Sequence, residues 1–162
     1  MHIRSFILCL IISLCSIVAQ DRPEVVATRT ELTIKVDGLL DEPVWATIKP
    51  ITEFVQRLPL DGSEPTEKSE MRVAFNNNFI YFGFTFFDSE PEKVRATILN
   101  RGGWIHRDDK LEIALDTYHD RRNAYLFEMN PLGTQDDALI TDENRPGLDE
   151  WAWDGVYISE GK

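Results

Sequence analysis

The stretch MRVAFNNNFIYFGFTFF, residues 71–87, decides the class of fold. Residues 71–75 alternate between apolar side chains and Arg72 or Ala74, which is the period-2 pattern of a β-strand. The three asparagines at 76–78 tolerate left-handed backbone conformations and suit a turn. Residues 79–87 are apolar on both alternating faces, so we predict a second strand that lies centrally in its sheet and is covered on both sides.

The same alternation recurs on either side of this hairpin. Further strands are predicted at residues 32–36, 52–57, 110–116, 122–129, 134–140 and 153–158. Short helices are predicted near residues 43–45, with Asp41 as the cap and Pro43 at the first position, and at residues 90–98. Seven or eight short strands joined by turn residues predict an all-β, antiparallel β-sandwich. A barrel is the alternative.

Residues 1–19 have the pattern of a secretory signal peptide. Polar His2 and Arg4 precede an apolar run at 6–14, and Ala19 offers a small residue at the cleavage point. The run is shorter than the ~20 residues that a membrane-spanning helix requires. We therefore expect an exported protein, periplasmic or at the cell surface of a bacterium, with a single domain at 20–162.

Cysteine usage and charge narrow the choice of partners. Cys9 and Cys15 both lie in the predicted signal, so the exported chain is free of cysteine, which fits a periplasm better than a disulfide-stapled secreted module. The formal net charge of -11 argues against a nucleic-acid partner, because phosphate backbones require basic surface. The excess of acidic residues fits three explanations: solubility alone, binding of a cation, or binding of a neutral polar ligand.

Acidic residues crowd the segment around the predicted strand at 110–116. Their oxygen atoms are the ligands that Ca²⁺ prefers, and the alternative is a solvated strand face. Glu112 and Glu128 could also face each other on adjacent strands as the acid pair of a glycoside hydrolase. No serine, cysteine or histidine pattern supports nucleophilic catalysis. The crowded acids are Asp108, Asp109, Glu112, Asp116 and Asp120.

Tryptophans in loops indicate a possible ligand surface. Trp104 lies in a polar loop beside Arg101 and His106, and Trp151 and Trp153 would share one face of the last predicted strand. Sugar rings present apolar C–H faces that stack on aromatic rings, while neighbouring polar groups take the hydroxyls. The alternative is that these indoles cover the ends of the sandwich.

Four segments together resemble domains similar to carbohydrate-binding module family 9. VDGLLDEPVW at 36–45 resembles the family's opening segment, and VAFNNNFIYFG at 73–83 with Asp88 resembles its hairpin. DDKLEIALD at 108–116 resembles its acidic strand. DRRNAY at 120–125 and NPLG at 130–133 resemble a subgroup in which this module opens larger bacterial envelope proteins of unknown function.

The resemblance implies a jelly-roll-like β-sandwich that binds sugar chain ends between aromatic side chains and carries structural calcium. It implies Trp104 and Trp153 as the clamp. The implied hydroxyl partners are Glu112, Glu128 and Asn130. The implied calcium-holding acids are Asp108, Asp109 and Asp116.

The resemblance also implies a role within a larger protein. The module would be non-catalytic and serve carbohydrate catabolism through a hydrolase or outer-membrane partner domain. A ligand-free structural domain of an outer-membrane-associated protein is the second hypothesis, and part of a glycoside hydrolase is the third. Asn77 replaces a common aspartate of the hairpin turn, and the family continues past residue 162, so we expect a truncated sandwich without its last strands.

Overall fold

The computed structural model describes residues 24–143 and 150–162. The predicted signal peptide at 1–19 and both cysteines lie outside the described residues, so export stays a prediction. Six strands are described: β1 Thr28–Arg29, β2 Ser69–Phe75, β3 Ile80–Phe86, β4 Leu111–Leu115, β5 Ala124–Met129 and β6 Gln135–Ile140. One α-helix, α1, spans Pro43–Thr47, and 3-10 turns span Pro91–Lys93, Ile105–Arg107 and Glu150–Ala152.

The predicted hairpin forms the first sheet, in the order β1-β2-β3. Strands β2 and β3 pair antiparallel from Ser69 opposite Phe86 to Phe75 opposite Ile80, and the short β1 pairs parallel with β2. Asn76 closes the turn, since its carboxamide oxygen accepts the backbone N–H of Asn78 and of Phe79 at 2.9 Å. The hairpin prediction is confirmed.

The predicted central position of β3 is wrong. This strand lies at the edge of its three-stranded sheet, and the side chains of Ile80 and Phe86 are 52% and 59% exposed. Its apolar run is therefore not the mark of a strand covered on both sides. Tyr81 on one face enters the core, while Phe84 and Phe86 on the other face stack on each other with centroids 5.8 Å apart.

A core forms where α1 packs on the first sheet. Buried Ile34, Val44 and Trp45 contact Ala74 and Tyr81. The Trp45 indole N–H donates to the carboxylate of Glu42 at 2.9 Å, and that carboxylate also accepts the backbone N–H of Lys35 at 2.8 Å. Pro43 takes the first helical position as predicted, whereas the predicted cap at Asp41 is wrong because the N-cap residue is Glu42.

Gly83 of β3 faces this core closely. A β-carbon placed there would lie 2.9 Å from a Leu40 methyl carbon and 3.1 Å from the Trp45 ring. We expect Gly83→Ala to lower the free energy of unfolding by about 1 to 2 kcal/mol, because extra volume in a packed core forces its neighbours apart. Urea unfolding followed by tryptophan fluorescence measures this. An unchanged midpoint would show that α1 does not rest on Gly83.

The second sheet is antiparallel, in the order β4-β5-β6. Leu111 pairs with Met129 and Leu115 with Tyr125, and β6 continues the sheet from Gln135 to Ile140. The strands predicted at 110–116, 122–129 and 134–140 are therefore confirmed within a few residues. On β4 the alternation of half-buried leucine and isoleucine with exposed Glu112 and Ala114 matches the predicted pattern.

Three predicted strands are absent from the described elements. At 32–36 the backbone N–H groups of Leu32 and Lys35 bond side chains of Thr30 and Glu42 instead of a neighbouring strand. At 52–57 local turn bonds replace a ladder, with one isolated bridge between Ile51 and Met71. At 153–158 side chains take the place of a ladder: the Gly155 and Tyr157 carbonyls accept from Arg101 and Gln135. The helix predicted at 90–98 is reduced to the 3-10 turn Pro91–Lys93.

The all-β class is confirmed by the two sheets and the scarcity of helix. The stacking of the sheets into a sandwich stays a prediction. Within residues 24–143 and 150–162, none of the helices has the length and apolar character that crossing a membrane requires.

Candidate functional site

The most exposed tryptophan stands on the loop that precedes β4. We call residues 99–107 the Trp104 loop. Trp104 has a left-handed backbone, with φ 62° and ψ 52°, and is 65% exposed. The next residue, Ile105, is fully buried and anchors the loop, while the ring of His106 lies 5.2 Å from the Trp104 ring. The loop thus places one apolar residue inward and two rings outward.

A buried hydrogen-bond network fixes the base of this loop. The Asp108 carboxylate accepts the backbone N–H groups of Thr97 and Ile98 and the Thr97 hydroxyl, each at 2.8 Å, and the Asn130 amide at 3.0 Å. Burial alone would raise the pKa of Asp108, but these hydrogen bonds outweigh it and hold the pKa well below its usual range. The Asp108 carboxylate is therefore ionised, and hydrogen bonds within the protein occupy both of its oxygens.

Asn130 completes the network from the end of β5. Its amide nitrogen also donates to the Ile98 carbonyl at 2.8 Å, and its amide oxygen accepts the N–H groups of Leu132 and Thr134 at 3.1 and 2.9 Å. Asn130 is 1% exposed. The structure places this predicted hydroxyl partner beneath the loop, where all its polar atoms bond the protein.

Arg101 joins the Trp104 loop to the C-terminal segment. Its guanidinium donates to the Asp137 carboxylate at 2.7 Å and to the Gly155 carbonyl at 2.6 Å, and it lies 2.6 Å from the exposed carboxylate of Asp154. It also lies 5.6 Å from the centre of the Tyr157 ring. These contacts bring the loop beside the segment that carries Trp153.

Trp153, the other predicted clamp residue, packs on the second sheet. Its ring lies 5.0 Å from that of Tyr125 and 5.7 Å from that of Phe127, in tilted and edge-on arrangements. The side chain is half-buried by these contacts. Trp151, next to it in the 3-10 turn, is 37% exposed. Trp104 therefore offers more free indole surface than either.

The predicted acid pair is brought together on adjacent strands. Glu112 of β4 lies directly opposite Glu128 of β5, which in turn lies opposite Asp136 of β6. The Glu128 side chain is 3% exposed and pairs with Lys110 at 2.6 Å, and Lys110 also pairs with Glu112. Burial, and then the hydrogen bond with Glu112, raise the pKa of Glu128 to about 7.

A substrate has poor access to this acid pair. Glu112 lies opposite Glu128, and both carboxylates contact the Lys110 ammonium, at 2.5 and 2.6 Å. Glu128 is also covered, so a substrate would have to displace Lys110 to reach it. The cluster is better described as a buried polar contact that ties β4 to β5.

The remaining predicted acids accept backbone N–H groups. Asp109 accepts the backbone N–H of Arg95 at 2.7 Å. Asp116 accepts those of Asp120 and Arg121 at 3.2 and 2.8 Å. In the part of the chain that the structure describes, no group of three or more histidine, cysteine or acidic side chains is arranged to hold a metal ion. Structural calcium at Asp108, Asp109 and Asp116 stays a prediction.

Sequence reasoning missed the residues that position the loop. Arg101 was noted only as a neighbour of Trp104, and Asp137 and Tyr157 were not singled out. The Tyr157 hydroxyl lies 2.8 Å from the backbone carbonyls of both Glu128 and Asp136, to either of which it can donate its one hydrogen. The available signal was Asp137, one of two adjacent acids in a predicted strand, because an acid that becomes buried there requires a cationic partner.

A shallow hollow of about 250 Å³ lies at the opposite end of the second sheet. It is lined by Asp116, Arg122, Ala124 and Ile140 among others, and contains no tryptophan. Its lining contains no aromatic ring, so it offers no platform on which a sugar ring could stack.

No protein-family model, no curated protein and no solved structure matches this chain.

Proposed function

We propose that this chain is a non-catalytic domain that binds carbohydrate at the Trp104 loop. The observation that carries the proposal is a 65% exposed indole on a loop that buried hydrogen bonds hold in place. Leaving so much apolar ring in water costs free energy that contact with a ligand would recover.

The contacts that hold the backbone of the loop favour binding. Asp108 and Asn130 fix its base, the buried Ile105 anchors it next to Trp104, and Arg101 ties it to the C-terminal segment. A loop whose backbone is already held needs less ordering when a ligand arrives, so less conformational entropy is lost.

Polar groups of the loop and of the segment tied to it complete the proposed site. The His106 ring lies 5.2 Å from the indole ring, and the exposed Asp154 carboxylate pairs with Arg101 of the same loop. These side chains take the sugar hydroxyls in our proposal. Glu128 and Asn130 are not assigned that role, because both are buried and bonded within the protein.

A second candidate function is docking of this domain against another protein segment. The supporting observation is the exposed apolar surface of β3 and its flanks, where Phe79, Ile80, Phe86 and Phe87 are each 45% or more exposed. Large contiguous apolar patches on a protein surface mark sites of interaction. This role is compatible with sugar binding on the other sheet.

Calorimetric titration of residues 20–162 with a panel of mono- and oligosaccharides tests the sugar proposal. We expect binding by the natural sequence, and a loss of about tenfold or more in Trp104→Ala, in line with the 1 to 3 kcal/mol typical of a stacked ring. The matched control is Phe79→Ala, which removes a 55% exposed ring from the other sheet and should leave affinity unchanged. Absence of heat with every sugar would contradict the proposal.

A further inference from the structure

We propose that two copies of this chain associate through the edge of the first sheet, with β3 of one copy pairing antiparallel with β3 of the other. The pairing joins the two sheets β1-β2-β3 into one continuous sheet. The inference names a second copy as the partner of the exposed apolar surface of β3. It does not depend on sugar binding at the Trp104 loop, which belongs to another part of the molecule.

One row of backbone groups on β3 is free to pair. Just past the end of β3, the Phe87 N–H donates to the Lys68 carbonyl at 2.9 Å, so the odd-numbered residues of the strand use their backbone groups to bond β2. Because an antiparallel strand directs these groups alternately to its two sides, the even-numbered residues direct theirs away from β2. Within residues 24–143 and 150–162 these outward groups form no hydrogen bond. The even-numbered residues are Ile80, Phe82, Phe84 and Phe86.

The edge lacks the features that normally keep edge strands from pairing. Residues 73–87 contain no charged residue and no proline, although 28% of the chain is charged. At the two ends of β3, Ile80 and Phe86 are 52% and 59% exposed. Lysine, proline and inward-pointing charges usually block such edges, and an open apolar edge pairs with a further strand. The chemistry of β3 therefore calls for an extended strand as its partner.

The distribution of charge favours a second copy as that strand. The chain has a formal net charge of -11, so most pairs of its surfaces would repel each other. The uncharged stretch at 73–87 is a place where two copies can meet without opposing acids. The same strand serves both copies, which is what a closed two-fold dimer requires.

One register pairs all four outward residues of each strand. In this register Gly83 lies on the two-fold axis, Ile80 lies opposite Phe86 of the other copy, and Phe82 lies opposite Phe84 of the other copy. Cross-strand pairs of aromatic and β-branched side chains stabilise neighbouring strands. Asp88, the first acid after the strand, falls opposite an uncharged asparagine, so this register brings no like charges together.

Sedimentation equilibrium of residues 20–162, which contain every described strand and helix, tests the proposal. We expect the average mass to rise from that of one chain to that of two, with a dissociation constant on the order of 100 μM, since the interface is small. Ile80→Lys and Phe86→Glu should each weaken dimerisation by about tenfold or more. Each variant places a charge against an apolar side chain of the other copy.

The double variant Ile80→Lys with Phe86→Glu tests the register. Positions 80 and 86 are about 20 Å apart along one strand, so the new charges cannot meet within a chain. Across the proposed pair they face each other at both ends, and the double variant should therefore recover most of the lost affinity. The matched control is Val55→Lys, a 69% exposed position in the segment that follows the Ile51 bridge to β2, and it should leave the dissociation constant unchanged.

Near-ultraviolet circular dichroism shows that each variant is folded, and either single variant is enough to decide the result. The mass of one chain at every concentration up to about 1 mM would overturn the proposal and leave the edge to a different polypeptide. Single variants that dimerise as the natural sequence does would place the association elsewhere. A mass well beyond two chains, or no recovery in the double variant, would contradict a closed two-fold pair in this register.

Discussion

Raising the pH from 5 to 8 is expected to lower the free energy of unfolding by about 2 to 3 kcal/mol, through Glu128. In the folded chain the pKa of Glu128 is about 7, against 4.5 for an unperturbed glutamate. The folded state therefore keeps a proton that the unfolded state releases. The resulting stability is fully present below pH 4.5 and is lost as the pH rises through 7.

The groups around Glu128 shift its pKa in opposite directions. Burial and Glu112 raise its pKa, and Lys110 lowers it. Across the sheet, burial raises the pKa of Asp136, which adds to the same trend. Asp108 changes the free energy of unfolding in the opposite direction with pH. Because its pKa is depressed in the folded chain, it stabilises the fold above about pH 4, and this stability is lost only in stronger acid. The two effects place the maximum of stability near pH 5.

Urea unfolding at a series of pH values measures this dependence. Glu128→Gln keeps the size of the side chain without an ionisable group, so its stability should change much less between pH 5 and 8. At pH 8 the variant should be at least as stable as the natural sequence. Parallel pH profiles for the two proteins would contradict the assignment of the effect to Glu128.

Replacing Asn130 with alanine is expected to lower the free energy of unfolding by about 3 kcal/mol. The side chain is 1% exposed, and its two donated and two accepted hydrogen bonds would be lost. The Asp108 carboxylate and the Ile98 carbonyl would each lose a donor in a buried setting. The base of the Trp104 loop should loosen as well.

Chemical denaturation gives the stability change, and calorimetry with the sugar bound most tightly by the natural sequence gives the effect on the loop. We expect weaker binding in Asn130→Ala although Asn130 is beneath the surface. The matched control is Asn78→Ala, an exposed turn residue, for which a change within about 0.5 kcal/mol is expected. A variant as stable as the natural sequence would show that the network does not support the loop.

The hairpin and the second sheet could be predicted because their side chains alternate and turn residues separate them. Three asparagines define the turn at 76–78, and β4 places leucine and isoleucine at every second position. The alternation at 32–36 predicted a strand that does not form. It reflects burial of Ile34 alone, because Leu32 is 55% exposed. Periodicity in a sequence indicates which side chains are buried, but several backbone conformations can bury the same set of side chains.

The candidate site was harder to predict than the fold. The exposure of Trp104 could be inferred from its polar loop with two glycines. The partners of Asp108 could not, because Thr97 and Asn130 lie 11 and 22 residues away and meet it only through tertiary packing. For the same reason the sequence could not show that the carboxylates at 108, 109 and 116 each accept backbone N–H groups in the folded chain.

The most direct test of sugar binding at Trp104 is the response of the indole N–H resonances in a ¹⁵N correlation spectrum during titration with an oligosaccharide. The account predicts that the Trp104 resonance shifts progressively to saturation. The Trp45 resonance should stay in place, since that indole is buried and bonded to Glu42. A saturating shift confined to other tryptophans, or no shift at any of them, would contradict binding at the Trp104 loop.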